Sequence, residues 1–141
     1  MALWHFECNI IPNRNKMDGL TEDEKKSWVG FNLAKADIDF LKREKSWSDD
    51  IVRFGTSDGT NIEFSYEDGM LDEIVCRLDL RSLTKKELDM LIEYVKVNNA
   101  LFLVDDKVCL PERDVLVAVM EKSDANRFCL NPREYMNEHI V

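Results

Sequence analysis

The side chains that could carry acid–base, nucleophilic or metal chemistry are few in this chain and scattered. His5 and His139 are its only histidines, one near each end, and neither has a second ligand at metal-site spacing. Cys8, Cys76, Cys109 and Cys129 lie far apart, none beside a histidine, so a Cys/His dyad would have to assemble in space. Ser57-Asp58-Gly59 has the composition of a hairpin loop, not of the strand-to-helix elbow that presents a nucleophilic serine. The glycines form no phosphate-cradling pattern, and Glu22-Asp23-Glu24 and Asp105-Asp106 lack the spacing of a calcium loop. No catalytic group, metal site or cofactor is expected. An enzyme would need a pocket holding one of the histidines beside a thiol or carboxylate.

Charge narrows the partner. Twenty-eight acidic and 19 basic side chains among 141 residues leave a net charge of −9. Nucleic acid and anionic membranes both require clustered Lys and Arg, so neither is an expected partner. A basic protein is, although such a charge also serves solubility alone. MALWHFECNII lacks the basic start of a signal peptide and is too short and polar for a membrane span. Buried, reduced thiols in the cytoplasm are the expected state of the cysteines.

The elements that would position a binding surface centre on residues 51–81. Ser57-Asp58-Gly59 and Glu67-Asp68-Gly69 read as three-residue hairpin loops, with glycine in the left-handed position, and make a three-stranded antiparallel meander. That register sets Phe54 opposite Ile62, Val52 opposite Phe64, Tyr66 opposite Met70 and Ile62 opposite Ile74. The apolar residues share one face with Cys76, Leu78 and Leu80. Residues 2–11 predict a further strand. Thr21 and Glu24 form a capping box for a short helix ending near Gly30, and Ile38 and Leu41 suggest a second helix within 31–46. Thr84, Glu87 and the stripe Leu88, Leu91, Ile92, Val95 predict an amphipathic helix from about Lys85 to Asn98. A hairpin over 100–110 follows. A helix then starts at Pro111 and carries Val115, Leu116, Val119 and Met120, Ser123 caps the next turn, and Asn131-Pro132 starts a last helix. The expected architecture is a single α+β domain over 1–141: an antiparallel sheet of meander plus amino-terminal strand, packed on one face by helices.

The polar face of the meander supplies the candidate contacts. Arg53, Glu63 and Glu73 would form a row across three strands, with Arg77 and Asp79 nearby, and the two glutamates would sit side by side unless a cation intervenes. A solvated sheet face would show the same residues. Trp47 beside Asp49 and Asp50 is a second candidate. It would be an anchor rimmed by acids if exposed, or a core side chain if not. The partner-binding set is therefore Trp47, Asp49, Asp50, Arg53, Glu63, Glu73, Arg77 and Asp79.

The stretch from about 50 to 138 carries Asp58-Gly59, Asp68-Gly69, Arg77-Leu78-Asp79-Leu80-Arg81 and Ser123-Asp124-Ala125-x-x-Phe128 with Asn131-Pro132. In these it resembles the immunity proteins of bacterial polymorphic toxin systems, including contact-dependent growth inhibition systems. The resemblance implies a small, acidic, cytoplasmic, non-enzymatic protein, a monomer or weak homodimer, that neutralises a cognate toxin domain by occluding its active site. A toxic nuclease must be basic, so an acidic inhibitor would gain steered association. Acidic proteins of this length also look like dimeric secretion chaperones. A chaperone would show an exposed apolar groove and a dimer interface.

Overall fold

Alternating apolar residues build one sheet, and two pairs of left-handed residues turn it. The computed structural model describes residues 2–133. In chain order the elements are β1 (His5–Pro12), α1 (Glu22–Lys26), β2 (Arg43–Glu44), β3 (Ile51–Gly55), β4 (Asn61–Glu67), β5 (Met70–Asp79), α2 (Lys85–Val97), β6 (Ala100–Val104), β7 (Lys107–Cys109), α3 (Arg113–Glu121) and α4 (Asp124–Leu130). The strands join a seven-stranded antiparallel sheet in the order β2-β3-β4-β5-β1-β6-β7, an α+β fold. The amino-terminal strand thus enters between β5 and β6, and its register pairs Cys8 with Cys76 and Ile10 with both Ile74 and Phe102.

One face of the sheet holds the main core. Phe6, Cys8, Ile10, Phe54, Ile62, Phe64, Ile74, Cys76, Leu78 and Phe102 pack there beneath Leu88, Leu91, Ile92 and Val95 of α2, Leu116 and Met120 of α3, and Ala125 of α4. The opposite face carries a small second cluster, Ile11, Leu101 and Leu103, with Met17 and Val108 against it. Thr21 and Thr84 close capping boxes with Glu24 and Glu87. Ser123 caps α4 by accepting from the Asn126 N–H.

The meander forms, with a different register in its second hairpin. Phe54 faces Ile62 and Val52 faces Phe64 as expected. Asp68 (φ 51°) and Gly69 (φ 77°) both take left-handed backbone and close a two-residue loop, so Glu67 pairs with Met70 and Tyr66 with Leu71. A bulge at Ser65/Tyr66 then restores the alternation, and Ile62 pairs with Cys76, Phe64 with Ile74. Beyond the bulge the pairings move by two residues and the apolar residues keep their face. Before it Tyr66 moves by one, from Met70 to Leu71, so Leu71 packs against the core and Met70, expected on the apolar face, is exposed. In the first hairpin the loop spans Thr56–Thr60, and the left-handed glycine is Gly55 (φ 87°) rather than Gly59.

Three other expectations shift. The helix at 31–46 is absent: Phe31, Leu33, Ile38, Phe40 and Leu41 reach the core from irregular backbone. There the Asn98 side chain accepts from the Lys35 N–H (2.7 Å) and the Tyr94 hydroxyl donates to the Ala36 carbonyl (2.9 Å). The helix at Thr21 stops at Lys26, short of Gly30, because the Trp28 N–H is taken by the Asp72 carbonyl. Pro111 precedes the cap of α3, Glu112, instead of opening the helix. His139 and the body of the helix expected after Asn131 lie outside the described residues.

A Cβ at Gly55 would fall 2.1 Å from the Thr60 carbonyl oxygen, whereas one at Gly69 would meet nothing within 4 Å. Gly55→Ala is therefore expected to cost at least about 3 kcal/mol, adding a backbone clash to the left-handed penalty, and Gly69→Ala only about 1–2 kcal/mol. Denaturant unfolding of both variants checks the order. Equal losses would show that Thr60 does not crowd position 55.

Candidate functional site

The eight expected contact residues separate into three environments. Trp47, Asp49 and Asp50 occupy the turn between β2 and β3, where Trp47 is 81% exposed and both aspartates face solvent. Serine side chains hold this turn. The Ser46 hydroxyl bridges the Ser48 and Ile51 carbonyls, the Ser48 hydroxyl accepts from the Asp50 N–H (3.2 Å), and the Ile51 N–H returns to the Ser48 carbonyl (3.2 Å). The backbone is satisfied locally and Trp47 is left outside the core. A core position for this tryptophan is thereby excluded.

The sheet adds a second turn to the first. Ile51 pairs with Ser65, and one residue further out the Tyr66 N–H donates to the Asp50 carbonyl (2.8 Å). Glu67, Asp68 and Met70 follow at the same end of the sheet, all exposed, Met70 by 58%. An exposed tryptophan and methionine thus share one end of the sheet with four carboxylates. An adjoining hollow of about 340 Å³ is lined by Arg43, Glu44, Lys45, Ser46 and Asp49, among others. Glu67, Asp68 and Met70 were absent from the expected set, yet the sequence held the signal. In an antiparallel meander the entry to the first strand always lies beside the turn joining the second and third.

Arg53, Glu63, Glu73 and Arg77 lie on the polar face, and there the charges are used within the chain. Glu63 faces Val75 and Glu73 faces Ser65, so the expected row of two glutamates does not exist. Arg77 reaches Glu63, Glu7 (3.2 Å) and the Asn61 side-chain oxygen (3.2 Å). Glu73 accepts from the Asn9 amide (2.8 Å), and Arg53 donates to the Lys45 carbonyl (3.0 Å). The Glu63 side chain is only 14% exposed. These groups brace the sheet more than they offer charge to a partner.

Asp79 belongs to neither set. It is buried at the opposite end, where its carboxylate accepts from the Arg81 backbone N–H, Nε and Nη2 at 2.9–3.0 Å. Burial works to raise its pKa, but the hydrogen bonds and charge of Arg81 outweigh it and hold the carboxyl below its ordinary value. The Arg81 guanidinium lies 3.7 Å over the Trp4 ring, and both side chains donate to the Asp58 carbonyl.

The remaining chemical groups are occupied. His5 is buried with its Nε2 2.8 Å from the Gly59 carbonyl. All four cysteines are free. A hydrogen bond to Cys76 and then burial push the Cys8 thiol well up, and burial raises Cys109 and Cys129, which keeps these thiols protonated and weakly nucleophilic. Among the described residues no group of three His, Cys, Asp or Glu is placed to hold a metal, and no helix is long and apolar enough to cross a membrane. No family model, no curated protein and no solved structure matches the chain, which leaves its own residues to carry the functional reading.

Bracing and free carboxylates should differ in stability. Glu63→Gln is expected to cost about 1.5–3 kcal/mol through the lost charged hydrogen bond, and Asp49→Asn or Asp50→Asn within about 0.5 kcal/mol. Equal effects would place Glu63 among the free surface charges. Asp79, with its pKa lower folded than unfolded, contributes stability that is fully present above the unfolded value of about 3.9 and lost as pH falls through the folded value. Asp79→Asn should lower stability at neutral pH and flatten its decline below about pH 4. An unchanged acid limb would remove Asp79 from the pH dependence.

Proposed function

We propose that this chain is a non-enzymatic inhibitor that binds a basic protein domain, as an immunity protein binds its cognate toxin, and that the Trp47 end of the sheet makes the contact. The observation that carries this reading is Trp47 itself, 81% exposed on a serine-held turn and accompanied by Asp49, Asp50, Glu67, Asp68 and Met70. Burying such a side chain against a partner is where interface energy concentrates. A preformed turn loses little conformational freedom on binding. The net charge of −9 would steer a cationic domain such as a nuclease toward this end, and occlusion of its active site needs no chemistry from the inhibitor. This function would be carried out in the cytoplasm, by a monomer or weak homodimer facing one partner.

A second reading draws on a different surface. A groove of about 290 Å³ between the 35–40 segment and α2, lined by Phe40, Met90, Tyr94 and Val97, is the kind of feature a secretion chaperone uses. A dimer by size exclusion, with effector binding lost on Met90→Glu, would favour that reading.

The inhibitor reading is tested with the protein encoded in the adjacent reading frame. Trp47→Ala should weaken binding about 30-fold or more and abolish protection on co-expression. Asp49→Lys with Asp50→Lys should slow association and reduce its salt dependence, with dissociation changed less. Full protection and unchanged kinetics in both variants would remove this end of the sheet from the interface.

A further inference from the structure

We infer that Trp47 is the seat for an arginine side chain of the partner, its guanidinium stacked on the indole and bonded by the carboxylates of the two neighbouring turns; the inference rests on the reading just given. The chain closes this same arrangement within itself at the other end of the sheet. There Arg81 lies 3.7 Å over Trp4 while its guanidinium nitrogens bond the Asp79 carboxylate and the Asp58 carbonyl. Arg14 repeats it more loosely, 4.6 Å over the Phe31 ring, with one nitrogen donating to the Glu24 and Ser27 carbonyls. Twice, then, an aromatic face and nearby oxygens hold an arginine.

At Trp47 the aromatic face and the oxygens are present and the arginine is not. Of the nearest basic residues, Arg53 donates to the Lys45 carbonyl, and Arg43 and Lys45 line the adjoining hollow with Glu44 and Asp49. None of them stacks on the Trp47 ring, which stays 81% exposed. Asp49 and Asp50 on its own turn, and Glu67 and Asp68 on the turn joined to it through the Tyr66–Asp50 bond, are exposed acceptors at the same end of the sheet. Arginine fits this better than lysine. Its planar, weakly hydrated guanidinium stacks on an indole and presents a fork of N–H donors to a carboxylate, whereas an ammonium is a compact, strongly hydrated charge. A purely apolar use of Trp47, plugged into a greasy pocket, would bring the carboxylates at this end no counter-charge from the partner as they lose water.

Hexa-arginine and hexa-lysine peptides titrated into the full chain at low salt test this, read by the Trp47 indole N–H resonance (assigned with Trp47→Phe) and by fluorescence quenching. The arginine peptide is expected to bind about two- to fivefold tighter and to shift the Trp47 resonance. Trp47→Leu should erase that preference while leaving lysine-peptide binding unchanged, and Asp49→Asn with Asp50→Asn should weaken both peptides. Equal binding of the two peptides, no binding of either, or a preference that survives Trp47→Leu overturns the inference. If the adjacent-frame partner is neutralised normally by the Trp47→Leu chain, the chain is still an inhibitor, but the arginine seat falls and Trp47 is not the anchor of its interface. If the peptide preference holds while no basic partner binds, the arginine seat stands and the inhibitor reading falls.

Discussion

One backbone hydrogen bond, from the Tyr66 N–H to the Asp50 carbonyl, decides where the exposed tryptophan goes. It extends the β3–β4 ladder one residue beyond the Ile51–Ser65 pair and ties the turn before β3 to the turn after β4. Each turn alone is a common surface feature. Joined, they gather two apolar side chains and four acids at one end of the sheet, on backbone whose hydrogen bonds are already made. Without that rung the Trp47 turn would keep its serine bonds and the β2–β3 pairing but would no longer be tied to the Glu67-Asp68 turn, and the relative order of the two would have to be made on binding.

The chain distributes its charge unevenly between structure and surface. On the polar face of the sheet, Arg77 draws Glu7 and Glu63 together, and Asn9 engages Glu73, so that face is close to self-compensated. At the far end Asp79 and Arg81 are spent on each other, on Trp4 and on the 56–60 loop. The Trp47 end keeps its acids exposed. Buried or braced ions stabilise or specify a fold, whereas exposed ones act on encounter, and this division separates the two kinds within one net charge.

Local chemistry made much of the fold readable. Capping boxes at Thr21 and Thr84, the stripe from Leu88 to Val95 and the period-two alternation of β4 and β5 each name an element by themselves. The β4–β5 register was hidden, because Asp68 as well as Gly69 takes left-handed backbone and a bulge then repairs the alternation. Parity holds beyond the bulge and the cross-strand neighbours change, which is why alternation alone sets Glu63 beside Glu73 whereas the sheet pairs them with Val75 and Ser65. The 31–46 segment defies its helical spacing for another reason: backbone groups in it bond to the side chains of Tyr94 in α2 and of Asn98 capping that helix, far away in sequence. The candidate site was half legible. The Trp47-Ser48-Asp49-Asp50 turn stood out by composition, but its exposure depends on serine hydroxyls, and the acids beside it arrive only once the meander closes.

The most direct test of the account compares collisional quenching of tryptophan fluorescence by caesium and by iodide, in the native chain and in Trp47→Phe. An exposed indole among carboxylates attracts the cation and repels the anion. With each quencher's constant taken relative to that for a free indole, caesium should quench the Trp47 component more strongly than iodide does, and that component should vanish in Trp47→Phe. Relative iodide quenching equal to or stronger than relative caesium quenching, or a variant that quenches like the native chain, would contradict an open, acid-rimmed Trp47.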